Sequence, residues 1–434
     1  MKVVQASAFT LDREEQDVYA KEREAVAEIL GDVRVQGDAA VRAYTERFDG
    51  VNLADFRIPE ESFAAAYEQV TNEFVEALRE AVVNIRRYHE AQKRNSWMLP
   101  DEKGSLLGQI IRPLKRVGVY VPGGRASYPS SVLMNVIPAQ VAGCPEIVLC
   151  TPPDRDGALN PGVLVAIREL GITEAYRIGG AQAVGAMAYG TETIRPVDKI
   201  TGPGNIYVAL AKQAVFGHVA IDMIAGPSEI LVIADETADP DYVAADMLSQ
   251  AEHDPMAAAV CVTTSEKVAV EVERALEAQL AQLPRQEIAA ESLKNWGAII
   301  LAETLDEAIA VSNRIAPEHL ELMIADPMSV LGRIENAGAI FLGPYSSEPV
   351  GDYFAGPNHT LPTSGTARFS SPLGVDDFVK RSSVIQYGKA ALLQNGSKII
   401  ALAEAEGLTA HANAIRVRLD KEQQNHLEPG GTQA

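Results

Sequence analysis

The stretch ILVIADETADPDYVAADMLSQAEHDPMAAAVCVT, residues 230–263, decides the fold because it reads as strand, helix and strand. Its middle part, 241–253, carries apolar side chains at helical spacing and follows Asp239-Pro240, a cap and a proline suited to the first helical position. The flanking runs, 230–234 and 259–263, are short and aliphatic. A helix between two such runs predicts a crossover between parallel strands of one sheet.

The same alternation extends along most of the chain. The later series of strand-like runs is ILVIA (230–234), AVCVT (259–263), AIILA (298–302), LELMI (320–324) and AIFLG (339–343). The earlier series is VGVYV (117–121), EIVLC (146–150), AYRI (175–178), DKIT (198–201) and VAID (219–222). Helical stretches separate the runs in both series. The sequence therefore predicts an α/β protein with two Rossmann-like parallel-sheet domains and a crevice between them.

The segments outside these series predict helical extensions. Residues 12–31 and 60–92 have a helical period, whereas the polar, proline-broken stretch Asn95–Gly104 reads as a connector. Residues 373–434 read as two helices followed by a polar tail, HLEPGGTQA, that we expect to fray.

Composition excludes several classes of function. A formal net charge of −21 argues against nucleic acid, whose phosphates need a basic surface. The start of the chain resembles no signal peptide, and no apolar run is long enough to span a membrane. Cys144, Cys150 and Cys261 form neither a CxxC pair nor a disulfide framework. We therefore expect a cytoplasmic protein that binds neither nucleic acid nor membrane and whose cysteines are buried.

Glycine turns follow three of the predicted strands. They are Pro122-Gly123-Gly124, Gly179-Gly180 and Gly202-Pro203-Gly204. The carboxyl ends of strands in doubly wound sheets bind ligands, and glycines there let the backbone approach a pyrophosphate. None of the turns matches the dinucleotide fingerprint, and each alone would be an ordinary tight turn. Three at equivalent strand ends favour a nucleotide site.

Polar side chains suited to a metal ion occur at separate places. Gln250 and His253 come at the end of the predicted helix 241–253, Asp352 lies in a Gly/Pro-rich loop, and His411 lies on a predicted helix. Together they form a nitrogen and oxygen ligand set that suits zinc. Taken one at a time, each is as readily a capping or surface group. The loop with Asp352 also contains His359.

The adjacent residues Glu318 and His319 precede a predicted strand. Such a pair offers two groups for proton transfer side by side. When the pair is considered alone, it is explained equally well as two polar residues at the start of an ordinary strand.

Long ordered motifs show which family the chain resembles. They are VGVYVPGGRASYPSSVLMN (117–135), AGCPEIVLC (142–150), GGAQAVGAMAYGTE (179–192), VDKITGPGN (197–205), IDMIAGPSEILVIAD (221–235), DMLSQAEHDP (246–255), APEHLEL (316–322), GDYFAGPNHTLPT (351–363) and EGLTAHANAI (406–415). Through them nearly the whole chain resembles histidinol dehydrogenase. The resemblance implies oxidation of L-histidinol to L-histidine in two NAD-dependent steps through an aldehyde, at the end of histidine biosynthesis.

The resemblance also implies the roles of particular residues. Glu318 and His319 would be the acid–base pair, and one zinc per subunit would be held by Gln250, His253, Asp352 and His411. Substrate contacts would come from these four ligands together with Ser228, His319, His359 and Glu406. NAD contacts would fall on Tyr120, Gln182 and Asn205. The enzyme would be a homodimer whose C-terminal segment reaches the partner's site.

The resemblance and the strand pattern together predict four parts in the chain. They are an N-terminal extension (1–22), a discontinuous first α/β domain (23–116 plus 223–372), an NAD-binding Rossmann-like domain (117–222) and a C-terminal dimerisation segment (373–434).

Three other functions remain open at this stage. A paralogous zinc- and NAD-dependent dehydrogenase could oxidise another small polar alcohol, such as a sulfonated diol. A zinc hydrolase could use Glu318 as its base, although such an enzyme has no need of glycine turns that bind a dinucleotide. A non-catalytic binding protein would not need the adjacent Glu318-His319 pair.

Overall fold

The structure is a computed structural model that describes residues 1–9, 19–123, 128–224 and 226–427. The chain divides into two units, one of Met1–Lys93 with Leu114–Phe378 and the other of Arg94–Pro113 with Val379–Ala434. The last residues of the polar tail, 428–434, and residues 12–18 of the first predicted helix lie outside the described residues. Gly124 of the first predicted glycine turn does so as well.

The strands, numbered in chain order, are β1 (Lys2–Gln5), β2 (Trp97–Pro100), β3 (Leu106–Pro113), β4 (Arg116–Tyr120), β5 (Glu146–Thr151), β6 (Glu174–Arg177), β7 (Lys199–Thr201), β8 (Ala220–Ile221), β9 (Glu229–Ala234), β10 (Ala258–Thr263), β11 (Ala298–Leu301), β12 (His319–Met323), β13 (Ala339–Leu342) and β14 (Val379–Gln386).

The helices are α1 (Ala20–Gln36), α2 (Asp38–Asp49), α3 (Glu60–Tyr67), α4 (Asn72–Glu90), α5 (Pro129–Ala142), α6 (Pro161–Glu169), α7 (Gly180–Tyr189), α8 (Ile206–Val215), α9 (Pro240–Ala251), α10 (Glu266–Leu280), α11 (Gln286–Trp296), α12 (Leu305–Ile315), α13 (Glu348–Val350), α14 (Lys389–Ala405) and α15 (Thr409–Leu427).

Two parallel sheets form the core of the first unit. The larger has the order β1-β11-β10-β9-β12-β13, and the smaller has the order β6-β5-β4-β7-β8. Every residue of β9 and β10 is buried, as expected for strands covered by helices on both faces. In the smaller sheet, and among β9 to β13 of the larger one, the second strand along the chain pairs on one side of the first and the fourth strand pairs on the other. This Rossmann order, and with it the predicted α/β class, is confirmed.

The order of the smaller sheet fixes where a ligand can bind. The strand order reverses between β4 and β7, which are paired in parallel. Ligands of doubly wound sheets bind outside the carboxyl ends of the strands at such a reversal. The glycine turn after β7 lies at this position.

The second unit contains an antiparallel sheet that the sequence did not predict. Its order is β14-β3-β2, and it is accompanied by α14 and α15. The prediction that Asn95–Gly104 is only a connector is therefore wrong, because β2 lies within it. Pro100 is tolerated there because β2 is an edge strand, where a missing N–H breaks no ladder.

Two further local predictions need correction, and one strand was not predicted. This strand is β1, which pairs with β11 at the edge of the larger sheet. The helical period over 60–92 is divided into α3 and α4, because the Thr71 side chain caps a new helix by accepting the Phe74 N–H at 3.2 Å. The helix predicted over 241–253 ends at Ala251.

Candidate functional site

The predicted proton-transfer pair lies where two neighbouring strands begin. Glu229 is the first residue of β9 and His319 the first of β12. The Glu229 N–H donates to Glu318 Oε2 at 2.9 Å, and His319 Nδ1 lies 3.0 Å from the Glu229 carbonyl oxygen. Because a carbonyl can only accept, His319 Nδ1 must carry a proton. In the neutral ring the lone pair is therefore on Nε2, which has no hydrogen-bond partner among the described residues.

Burial and charge shift the pKa of both members of the pair. Burial raises the pKa of Glu318 to about 8, against the opposing effect of the nearby His319. Burial would lower the pKa of His319, but the Glu318 and Asp352 carboxylates outweigh it and raise this pKa to about 10. Both groups therefore bind a proton more tightly than an exposed carboxylate or imidazole does, which marks the pair as a candidate for proton transfer.

Asp352 brings a carboxylate to the free nitrogen of His319. It lies on a π-helical turn, Gly351–Ala355, a rare conformation that is frequent at functional sites. Its Oδ1 is 3.6 Å from His319 Nε2. His359 Nδ1 donates to the Asp352 backbone carbonyl at 3.1 Å and is 3.9 Å from Asp352 Oδ2. The Gly/Pro-rich loop therefore places both Asp352 and His359 beside the proton-transfer pair.

The end of α9 lies next to the segment that carries Asp352. Gln250 is fully buried, and neither atom of its side-chain amide has a hydrogen-bond partner among the described residues. Its neighbour Ser249 donates to Glu348 Oε2 at 2.7 Å, four residues before Asp352. A buried amide without a hydrogen-bond partner destabilises the folded state unless a ligand or an ion interacts with it. Gln250 therefore fits a metal ligand much better than an exposed capping residue.

His253 lies in the turn after α9 rather than on the helix. Its N–H donates to the Gln250 carbonyl at 3.1 Å, and Pro255 has no N–H with which to continue the ladder. The residue is exposed to solvent, yet desolvation by nearby protein atoms lowers the pKa of the imidazole. The charge of Asp352 acts to raise this pKa and that of His319 to lower it.

Three side chains in this region could hold a metal ion together. One ligand atom each from His319, Glu348 and Asp352 lie within 4.8 Å of one another. Asp352 is the member shared with the predicted ligand set. Glu348 was not among the predicted ligands, since it precedes a proline in a loop without any recognisable motif.

A layer of buried carboxyl groups lies next to Glu348. Its N–H donates to Glu321 Oε1 at 2.9 Å, and the Glu321 side chain in turn bonds to that of Asp246. Burial and then the Asp246 charge raise the pKa of Glu321 to about 9, so this pair shares a proton at neutral pH. The pair links α9, β12 and α13, the elements around the site. Sequence reasoning missed it because strand residues of LELM read as core.

The remaining predicted site residues fall into two groups. Ser228 is half-buried and directly precedes Glu229, and His359 Nε2 lies 3.5 Å from Ser131 Oγ. Glu406, at the end of α14, and His411, on α15, belong to the second unit, and both are exposed. The first unit by itself therefore brings together Gln250, His253, Asp352, His359 and the proton-transfer pair, but not all the predicted ligands.

The three glycine turns of the smaller sheet converge. A Cβ on Gly179 would lie 2.4 Å from Pro152 Cβ, and one on Gly123 would lie 2.7 Å from Pro152 Cγ. The Gly180 N–H donates to the Tyr120 hydroxyl at 3.1 Å, and Tyr120 is buried. Only glycine, which has no Cβ, fits at these close approaches. The same lack of a side chain leaves its backbone uncovered for contact with a ligand.

Two of the predicted NAD residues present amides at this edge. Gln182 is buried on α7, and its Oε1 has no partner among the described residues. Asn205 caps α8 by accepting the Val208 N–H at 3.2 Å through Oδ1. Its amide nitrogen remains available as a donor at a helix N-terminus, where a phosphate is favoured.

The cysteines of the chain are all buried. Burial raises the pKa of Cys144 to about 11 and that of Cys261 to about 12, and it also raises that of Cys150. Buried thiols of this kind are poor nucleophiles. The expectation of small buried hydrophobic cysteines is confirmed.

Changing both Cys144 and Cys150 to Ala is expected to leave activity per folded molecule nearly intact. The protein should unfold about 1–3 kcal/mol more easily, because both sulfurs fill core volume. Thermal unfolding and turnover measured on the same sample check this. A double variant that is folded but inactive would mean that a thiol takes part in the reaction.

A doubly wound sheet with glycine turns at its strand-order reversal, in the same unit as a buried proton-transfer pair, is the arrangement of a dehydrogenase, and this chain is of that class. Residues 11–419 match the family model described as histidinol dehydrogenase. The chain belongs to the histidinol dehydrogenase family.

Individual relatives agree with this assignment. Histidinol dehydrogenase of Geobacillus kaustophilus is 62% identical over 401 residues, covering 92% of this chain and 95% of the relative. That of Halalkalibacterium halodurans is 58% identical over 423 residues, covering 97% and 100%. The crystal structure of histidinol dehydrogenase from Elizabethkingia anophelis superposes with a TM-score of 0.90 at 42% identity, covering 95% and 94%. Among the described residues, every helix is too short or too polar to cross a membrane.

Proposed function

We propose that this protein oxidises L-histidinol to L-histidine through L-histidinaldehyde, using two molecules of NAD and one zinc ion per subunit, as the last step of histidine biosynthesis. The observation that carries the proposal is the orientation of His319. Its Nδ1 is bonded to the Glu229 carbonyl and its Nε2 faces Asp352. A base with a fixed lone pair beside a candidate metal site suits the removal of a hydroxyl proton.

The first oxidation needs a base for the alcohol. Once His319 has lost its proton, its Nε2 accepts the proton of the hydroxyl group while hydride leaves the carbon that bears this group. The carbonyl of Glu229 holds the ring and stabilises the imidazolium that forms. The negative charges of Glu318 and Asp352 favour the same imidazolium.

The second oxidation needs water as well as a base. Glu318 is held by the Glu229 N–H and has a raised pKa, so its carboxylate is a stronger base than an exposed one. It removes a proton from the water that adds to the aldehyde. The resulting hydrate is an alcohol again, and His319, after passing its first proton to solvent, accepts the hydroxyl proton of the hydrate during the second hydride loss.

The residues present fit a zinc ion. Gln250 has an orphaned buried amide, and His253 and Asp352 supply a nitrogen and an oxygen nearby. His411, in the second unit, would complete the set from another subunit. When bound, zinc supplies a Lewis acid that anchors the imidazole and amine of L-histidinol. Ser228, His359 and Glu406 would then make further contacts with the substrate.

For NAD, the support comes from the turns of the smaller sheet. Asn205 and the N-terminus of α8 suit the pyrophosphate, and the unpartnered Gln182 oxygen suits a donor on the dinucleotide. Tyr120 acts by holding the Gly180 turn through its hydroxyl. The dinucleotide supplies the hydride acceptor.

A homodimer is supported by the surface of the second unit. Leu99, Leu107 and Ile385 are neighbours across the antiparallel sheet and are exposed by 64%, 46% and 74%. Clustered exposure of large apolar side chains is typical of a surface that another chain covers. A second copy docked there would explain the exposure and could bring His411 and Glu406 into a shared site.

The yield of NADH per L-histidinol tests the reaction. Two NADH per substrate are expected, with L-histidine as the product. One NADH would indicate a simple alcohol dehydrogenase, such as the sulfonated-diol paralogue, and its substrate would then be sought among other small polar alcohols. No NADH would point to the zinc hydrolase or to a binding protein.

Removing the metal with a chelator is expected to abolish turnover, and zinc should restore it, because substrate alignment depends on the ligands of the ion. The control is direct titration of the chelated protein with NADH. None of the proposed ligands lies on the glycine turns, so binding of the dinucleotide should persist. Full turnover in metal-free protein would contradict the proposed role.

A further inference from the structure

A buried ion pair lies under the glycine turn that follows β7. Lys212 is on α8, and Asp222 directly follows β8. The Lys212 ammonium contacts the Asp222 carboxylate, and their side chains are only 2% and 0% exposed. A buried pair of this kind is weak evidence for stability, because apolar residues of the same shape are often at least as stabilising. Its charges therefore need another explanation.

Both charges act on one residue, Gly202. The Lys212 ammonium donates to the Gly202 carbonyl at 2.9 Å, and the Gly202 N–H donates to Asp222 Oδ2 at 2.8 Å. Hydrogen bonds to charged groups are shorter and stronger than those between neutral groups. The two side chains thus fix the backbone of Gly202 by bonding to both its carbonyl oxygen and its N–H.

The position that they hold is one that only glycine can occupy. Gly202 has φ +117°, and a Cβ there would lie 1.9 Å from the Tyr120 carbonyl oxygen. The turn is therefore pressed against the end of β4. This is the reversal of strand order, where the dinucleotide crevice of the proposed function lies.

The turn leads directly into α8. Residues 202–205 connect β7 to the helix, and Asn205 is its N-cap. Any displacement of Gly202 would move Asn205 and the free N–H groups of the first helical turn. Those groups are the donors that a pyrophosphate would meet.

We propose that Lys212 and Asp222 are positioning residues for the dinucleotide, which fix the 202–205 turn so that its donors meet the pyrophosphate. This role rests on the proposed function, since it assumes that NAD binds at the turn. Asp222 neutralises the charge of Lys212, so the pair acts by placing the backbone and not by attracting the ligand.

Direct titration with NADH and steady-state kinetics of Lys212→Met test this role. Loss of the charge-assisted bond to Gly202 should weaken NADH binding and raise the KM for NAD, each roughly ten-fold, with kcat little changed. The KM for L-histidinol and the zinc content should stay as in the wild type.

Lys199→Met is a matched control. Lys199 also lies on the smaller sheet, at the start of β7, and its ammonium pairs with Asp377 at 2.8 Å with side-chain exposures of 8% and 30%. The change removes another buried lysine pair at the end of β7 opposite to the turn. It should lower thermal stability without changing the affinity for NADH.

The double variant Lys212→Met/Asp222→Asn separates positioning from stability. It leaves no unpaired buried charge, so thermal stability should recover relative to Lys212→Met alone. The affinity for NADH should not recover, since the Gly202 carbonyl still lacks its donor. This variant also serves if Lys212→Met does not fold.

Two results would overturn the positioning role. One is an affinity for NADH that recovers together with stability in the double variant, and the other is an equal loss of affinity in Lys199→Met. A wild-type protein that binds no NADH would overturn the proposed function itself, and the role of the pair would fall with it.

Discussion

Replacing His319 by Asn is expected to slow both oxidations, each by about 10²–10⁴-fold, the usual contribution of a general base. Asparagine keeps an N–H that can donate to the Glu229 carbonyl, so the local fold should survive. It offers no group that accepts a proton at the position of Nε2. Single-turnover rates with L-histidinol and with L-histidinaldehyde measure the two steps separately.

Replacing Glu318 by Gln should instead slow mainly the oxidation of the aldehyde, because only that step consumes water. The amide oxygen of glutamine can still accept the hydrogen bond from the Glu229 N–H, so the starts of β9 and β12 should keep their geometry. Zinc content and thermal stability, measured on both variants, serve as controls. Equal slowing of alcohol and aldehyde oxidation in Glu318→Gln would disprove this division of roles.

The pH dependence of alcohol oxidation gives a further check on the pair. After the opposing effect of burial, the Glu318 charge is the largest cause that raises the pKa of His319. Glutamine removes that charge, so the pKa of His319 should fall. Since the base must be neutral, the acidic limb of the pH profile should move to lower pH in Glu318→Gln. A limb that stays in place would mean that another group limits the rate.

The core of the fold was predictable because buried parallel strands carry their own signal. The strands of both parallel sheets that the sequence predicted begin within one residue of their observed starts. β1 was missed because KVVQ is a short edge strand with only two aliphatic residues. In the antiparallel sheet, β14 was missed because Val379 pairs with Pro113, and a pairing so distant in the sequence leaves no local pattern.

The candidate site was predictable only where side chains carry a motif or lie next to each other in the chain. Glu318 and His319 are adjacent, so their cooperation could be proposed directly. Glu348, Glu321 and Lys212 act through residues distant in the sequence, and nothing near them indicates a partner. The position of His253 beyond α9 depends on the way in which the helix ends at Ala251.

His411 is the predicted ligand whose role depends most on a second chain. It is exposed on α15, in a different unit from Gln250, His253 and Asp352. The first unit lacks it, yet already contains the proton-transfer pair and the orphaned amide of Gln250. We therefore expect each site of a dimer to combine His253 of one chain with His411 of the other.

Two inactive variants, His253→Asn and His411→Asn, are expected to restore activity when unfolded and refolded together. Random pairing gives about half heterodimers, and in each of these one site regains both histidines while the other loses both. Roughly a quarter of wild-type activity should return if the sites act independently. The control is a mixture of His253→Asn with Asp352→Asn, whose lesions lie in the same unit and leave no intact site in any pairing. If His411 served its own chain, every site of the first mixture would also carry a lesion. If one variant is labelled with ¹⁵N before refolding, heterodimers are recognised by their intermediate mass, and their presence in an inactive first mixture would exclude a shared site.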